Sequence, residues 1–255
     1  PFTSNEVEEA LKELKTNKCA DPNGMKRELF RGCSGSLLDS IVKMLNLIIK
    51  NRNIPKAWFT VTVTQLYKGK GKVSDLDNMR GIFAVIIPYI LLEKILLTRI
   101  QPNFINKISP YQGAGTFGRS LIDNLFLVHA VGDHYFNKPG SNLTIVLYDF
   151  SKCFDKLRLK NSMIDIDVSY VDLFYNMNAG ANINIKTAFG NTPNFYVSDI
   201  LKQGTALANV ACCTTLDKYS KICNSNSIGV SLYGINIAPL GFVDDIITIN
   251  SSYIK

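Results

Sequence analysis

Two adjacent carboxylates stand in an otherwise apolar run, Gly241-Phe242-Val243-Asp244-Asp245-Ile246-Ile247-Thr248-Ile249. The β-branched and aromatic residues around them predict a strand, a tight turn holding both acids, and a returning strand. Neighbouring side chains on a regular strand face opposite ways, so both acids reach one point only where the chain bends. Two anions held together are costly unless a cation or a proton compensates. The pattern therefore asks for a divalent metal and a third carboxylate. A second β-forming run, Leu143-Thr144-Ile145-Val146-Leu147-Tyr148-Asp149-Phe150, also ends on an acid. If the two strands are neighbours, Asp149, Asp244 and Asp245 gather at one sheet edge. Their oxygen donors suit a pair of hard cations, Mg²⁺ first and Mn²⁺ as the alternative. Two such ions activate an attacking hydroxyl and neutralise a leaving pyrophosphate. Alone, Asp149 reads as a turn or cap residue. The Asp-Asp pair gives the metal reading its weight.

That chemistry needs positive groups for phosphates, and the charge is distributed accordingly. The 255-residue chain carries a net charge of +7. Residues 50–80 hold Lys50, Arg52, Lys56, Lys68, Lys70, Lys72 and Arg80 against Asp75 and Asp77. Such a stripe suits a polyanion such as nucleic acid, although a solvated basic face has the same composition. With 46% apolar and 19% charged residues, the chain has the material for a buried core and is not broadly disordered. The length fits one large or two small domains. Cys19, Cys33, Cys153, Cys212, Cys213 and Cys223 show no C-x-x-C spacing. They read as reduced, mostly buried thiols of an intracellular protein, nuclear or cytoplasmic. His129 and His134 are too few for a zinc site with them. No run is long enough to span a membrane and no targeting segment is evident. The chain opens inside what reads as a folded segment, as a fragment would.

The positioning elements follow from local pattern. Thr3-Ser4-Asn5-Glu6 is a capping box ahead of an amphipathic helix to about Lys15. A second helix is expected from about Ser36 to Lys50, and a half-buried strand over Phe59–Tyr67. Lys68-Gly69-Lys70-Gly71-Lys72 is a basic turn without the Walker spacing. A short strand and, beyond Pro88, a helix follow to Ile100. The glycine-rich loop Tyr111–Ser120 leads to a helix capped by Ser120. Ser151–Asp155 turns from the Asp149 strand into a helix, and Val171–Met177 suggests another. Residues 183–197 suggest a hairpin, Lys202–Thr205 a loop before a small-residue helix, and 228–237 a second hairpin split by Gly234.

At this level the order of segments resembles the reverse-transcriptase domain of a non-LTR (LINE-type) retrotransposon. The resemblance rests on six stretches in the family's order. They are FTSNEVEEALKELKTNKCADPNGM at 2–25, LYKGKGKVSDLDNMRGI at 66–82, YQGAGTFGRSLIDNLFLVHAV at 111–131, LYDFSKCFDK at 147–156, LKQGTALANV at 201–210 and GFVDDIITI at 241–249. It implies an α+β right-hand polymerase, with an antiparallel palm sheet flanked by helices. Residues 1–140 would be mainly fingers and 141–255 mainly palm, with the thumb and endonuclease outside the chain. The implied activity is RNA-directed DNA polymerisation on an RNA template, with a DNA primer and dNTPs.

The resemblance also implies roles. Asp149, Asp244 and Asp245 match the metal-binding aspartates. Phe154 matches the aromatic that excludes a 2′-hydroxyl, though a core aromatic has the same character. Gln203 and Gly204 match the loop beside the incoming nucleotide. Lys68 and Arg80 match the residues that clasp the triphosphate. Lys70 and Lys72 compete with Lys68 for that role or face nucleic acid, and Arg119 matches a loop residue near template. Asp155 is a frequent family acid, read here as structural. The chain departs from the family at Gly81 (usually Pro), at Asp21-Pro22-Asn23-Gly24 (usually Gly-Pro-Asp-Gly), at Leu207-Ala208-Asn209 (usually Leu-Ser-Pro), and in a shorter stretch between Asp155 and Tyr175. Those departures admit a second reading, a catalytically decayed remnant that binds nucleic acid. A metal-dependent nuclease uses the same acids but leaves Phe154, Gln203 and Gly204 without a purpose.

Overall fold

The computed structural model describes residues 1–114, 118–158, 168–198 and 201–251. The centre of the glycine-rich loop and residues 159–167 of the stretch between Asp155 and Tyr175 lie outside them. The chain forms two compact units, each built from two segments: Pro1–Ile100 with Asp167–Ala208, and Gln101–Ile166 with Asn209–Lys255.

The first unit begins with α1 (Ser4–Lys12), α2 (Arg27–Arg31) and α3 (Gly35–Asn51). Thr3 caps α1, with Glu6 completing the capping box, as the sequence predicts. The helix ends at Lys12, one turn short of the expected end. Val7, Ala10 and Leu11 of α1 and Ile41, Leu45 and Ile48 of α3 are buried. These positions recur at helical spacing, so each helix buries one stripe.

Strands β1 (Thr60–Tyr67) and β2 (Met79–Ala84) pair antiparallel from Thr62↔Ala84 to Tyr67↔Met79. Val61 and Val63 are buried, while Thr64–Tyr67 extend into solvent. Lys68, Lys70 and Lys72 therefore ride on a projecting hairpin tip. Helix α4 (Ile87–Lys107) follows. It starts before Pro88, because a proline in the first turn forfeits no intrahelical hydrogen bond. Between α4 and the next helix of this unit, the chain passes through the second unit.

That second unit opens with α5 (Leu121–Phe136), β3 (Leu143–Asp149) and the single-turn α6 (Cys153–Lys156). The chain returns to the first unit through α7 (Val168–Asn178), β4 (Ala181–Thr187), β5 (Gly190–Asn191) and β6 (Phe195–Val197). β4 pairs antiparallel with β5 and β6, forming the expected hairpin. It also pairs parallel with β1, Val61 opposite Ile183 and Val63 opposite Ile185. Sequence pattern did not predict that parallel contact. Helix α8 (Ala206–Ser225) starts at the end of this segment.

Among the described residues, the second unit is completed by β7 (Val230–Leu232), β8 (Ile235–Ile237), β9 (Leu240–Phe242) and β10 (Asp245–Ser251). β7 and β8 form an antiparallel hairpin. β10 lies between β3 and β9, antiparallel to both. Val131 and Tyr135 of α5 pack with Val230, Ile237, Leu240 and Ile249 as one core. The mixture of helices and sheets is α+β, and the sheet carrying the acids is antiparallel, as expected.

Candidate active site

The site grows from one register. Asp149, the last residue of β3, stands directly opposite Asp245, the first residue of β10. Residues facing each other across an antiparallel pair have Cβ atoms about 4.5–5.5 Å apart and share a face. Asp245 also pairs with Phe242, so Val243 and Asp244 form the turn between β9 and β10. The strand–turn–strand prediction holds with one refinement: only Asp244 sits in the turn. Val243 takes φ +58, in the left-handed region that β-branched residues rarely occupy.

Asp245 feels the other two acids. Partial burial raises the Asp245 carboxyl above its ordinary range, and the charges of Asp244 and Asp149 raise it further. The donor set consists of hard carboxylate oxygens under mutual repulsion, which fits a divalent cation. Among the described residues, no three His, Cys, Asp or Glu side chains close on a single point as a finished metal site. The backbone thus gathers the acids at one sheet edge, while their side chains do not converge.

Asp149 also lines a cleft of about 290 Å³ with Phe150, Ser151, Cys153, Lys156, Leu157 and Leu216. Phe154, in α6, is buried at 8% exposure. The turn into α6 bends through Lys152 at φ +55. Cys153 and Cys212 bring their sulfurs to 3.7 Å as free thiols. Burial pushes the neighbouring Cys213 thiol up to about 12, with the charges of Asp217 and Asp244 adding to it. In the same unit, Arg119 donates from Nη1 to the Pro110 carbonyl. Asp155 is exposed in the first turn of α6.

The remaining candidates belong to the first unit. Lys68 closes the loop at the tip of the β1–β2 hairpin: its N–H donates to Asn78 O at 2.9 Å and its Nζ to Asp77 O at 2.8 Å. Lys70, Lys72 and Arg80 are exposed on the same hairpin. Gln203 accepts from the Phe83 N–H of β2 at 3.3 Å, and Gly204 follows at φ +103, a conformation that favours glycine.

Beneath that loop lies a buried polar cluster with residues that pattern reading passed over. Glu93 of α4, 2% exposed, accepts from Leu207 N at 3.1 Å and Ala206 N at 3.2 Å. It thereby caps the start of α8 from another helix. Lys202 is fully buried and donates to the Met177 carbonyl and to Tyr89 Oη at 3.4 Å, with its ammonium 4.7 Å from the Tyr89 ring centre. Burial raises Glu93 to about 7 and lowers Lys202 to about 8, each opposed by the other's charge. The available signal was the lone Glu93 in Tyr89-Ile90-Leu91-Leu92-Glu93-Lys94-Ile95-Leu96-Leu97, although an exposed helix face gives the same signal.

A protein-family model described as reverse transcriptase (RNA-dependent DNA polymerase) matches residues 68–254, a span that contains every candidate named above. The chain belongs to the reverse transcriptase family. It is also 25% identical over 157 residues to "Transposon TX1 uncharacterized 149 kDa protein" of Xenopus laevis. That alignment covers 62% of this chain and 12% of the relative, so the chain corresponds to a small part of that protein. A transposon relative agrees with the retrotransposon resemblance of the six motifs. As a reverse transcriptase domain, the chain has its metal-type acids on a paired strand end and hairpin in one unit. Its basic hairpin and Gln-Gly loop lie in the other.

Proposed function

We propose that the chain is the fingers (mainly 1–140) and palm (mainly 141–255) part of an RNA-directed DNA polymerase. It extends a DNA primer on an RNA template by attack of the 3′-hydroxyl on the α-phosphate of a dNTP. The observation that carries this reading is the register that sets Asp149 against Asp245 beside the Asp244 turn. Asp149, Asp244 and Asp245 would hold Mg²⁺ or Mn²⁺. Bound there, the ions would supply Lewis-acid activation of the hydroxyl and charge neutralisation of the departing pyrophosphate. Lys68 and Arg80 orient the triphosphate by charge-assisted hydrogen bonds. The loop of Gln203 and Gly204 lies beside the nucleotide, and Gly204, without a side chain, lets the backbone approach it closely. Phe154 limits space at the sugar and so disfavours a 2′-hydroxyl. Lys70, Lys72 and Arg119 neutralise nucleic-acid phosphates, a term that weakens with salt.

The test is primer extension on an RNA template with dNTPs and Mg²⁺, comparing the wild-type chain with Asp244→Asn. Asp244→Asn should remove incorporation while leaving circular dichroism and primer-template binding unchanged. Incorporation that survives the substitution would refute the site. Binding without incorporation by the wild-type chain would mark the protein as a nucleic-acid-binding remnant.

A further inference from the structure

Gln112 is uncharged and has no role in the proposed chemistry, yet it is 2% exposed and its side chain meets the turn that carries Asp244. Its Oε1 accepts the Val243 N–H at 3.2 Å and the Ala114 N–H at 3.3 Å. The backbone around it is tied to the same hairpin. Gln112 forms a parallel bridge to Gly241, the Gly241 N–H donates to Tyr111 O at 2.9 Å, and the Gly113 N–H donates to Gly241 O at 2.8 Å. Asn124 of α5, 6% exposed, donates from Nδ2 to that same Gly241 carbonyl at 2.9 Å. A Cβ on Gly241 would stand 2.8 Å from Gln112 Nε2, so any side chain there would push the Gln112 amide aside.

The supported turn is strained at the point of support. Val243 is β-branched at φ +58 and persists there only if its surroundings impose the conformation. We infer that Gln112, with Asn124 behind Gly241, is a positioning residue that fixes Val243 in this turn and so holds Asp244 and Asp245 in register against Asp149. This rests on the reading of Asp244 and Asp245 as the catalytic pair. The Cys213 thiol also faces the Val243 amide. Sulfur is a weak acceptor and does not replace the Gln112 oxygen.

The test uses Gln112→Met, similar in length but without the acceptor, in the Val243 and Val243→Gly backgrounds. Two quantities are measured: amide hydrogen exchange at position 243, and primer extension with dNTPs and Mg²⁺. With Val243 present, Gln112→Met should speed exchange and lower kcat by a factor within roughly 5 to 150, the range for leaving a buried amide unsatisfied. KM for the dNTP should stay within about twofold, as expected when orientation rather than nucleotide binding is lost. With glycine at 243 both effects should shrink, because glycine adopts this φ without strain. Unchanged exchange at 243, or equal losses in both backgrounds, would overturn the inference. If Gln112→Met does not fold, Asn124→Ala is read the same way, and faster exchange at 243 is again required. If exchange behaves as expected while the wild-type chain extends no primer, the positioning stands and the catalytic reading fails.

Discussion

Arg99 ties four groups of the first unit together, and its removal has a calculable cost. Nε and Nη2 meet Glu6 Oε1 at 2.8 Å and Oε2 at 2.9 Å, a bidentate pair. Nη1 donates to Tyr170 Oη and Nη2 to Pro1 O, both at 2.7 Å, and the guanidinium lies 4.5 Å from the Phe2 ring centre. The hydrogen bond from Arg99 is the largest cause of the fall of the Glu6 carboxyl from its ordinary 4.5 to about 2; Thr3 adds to it and burial opposes it. At about 1.36 kcal/mol per pH unit, that interval sets a ceiling of about 3.4 kcal/mol. The Glu6 side chain is 30% exposed, so solvent screening brings the ion-pair part to roughly 1–2 kcal/mol. Stacking on Phe2 adds about 0.5–1 kcal/mol.

Arg99→Met should therefore cost about 1.5–3 kcal/mol at pH 7. The sign with pH follows from a depressed carboxylate. Its stabilisation is complete above 4.5 and is lost as pH falls toward about 2. Urea unfolding followed by Trp58, the chain's single tryptophan and buried in this unit, reports the effect. The gap between wild type and variant should narrow between pH 5 and pH 2. A gap of constant size across that window would refute the claim that Arg99 acts through the Glu6 charge.

Lys202→Met should destabilise the same unit by about 1–3 kcal/mol, because it leaves the buried Met177 carbonyl without its donor and removes the charge that opposes the effect of burial on Glu93. Glu93→Gln combined with Lys202→Met should recover part of that loss in the Trp58 urea midpoint, and strictly additive losses would contradict the charge coupling of the two groups. Phe154→Val should raise ribonucleotide over deoxynucleotide incorporation by roughly 10- to 100-fold in competition assays, if the ring sets the space at the sugar. Replacing Lys70 and Lys72 by Gln should flatten the dependence of log K on log salt by about 1.5–2 for primer-template binding. An unchanged slope would move the nucleic-acid track elsewhere.

The elements around the site were legible wherever one local signal dominated. Thr3 and Glu6 announced α1, alternation announced β1, and the β-type runs ending at Asp149 and flanking Asp244 announced β3, β9 and β10. Helix ends were less legible: α4 runs past Ile100 to Lys107 through Pro102, since packing of its apolar side overrides a residue that weakens helices.

The sequence by itself determined which residues are candidates for the chemistry, because carboxylates, β-branched runs and glycines are local facts of side-chain type and spacing. It also determined the family, through six short motifs in order. Only the tertiary structure decided what those residues meet. The pairing of Asp149 with Asp245, the parallel contact of β1 with β4, the capping of α8 by Glu93 and the support of Val243 by Gln112 each join positions far apart in the chain. No periodicity encodes such pairs. They follow from satisfying buried backbone groups and burying apolar faces in three dimensions, conditions that exist only once the chain has folded.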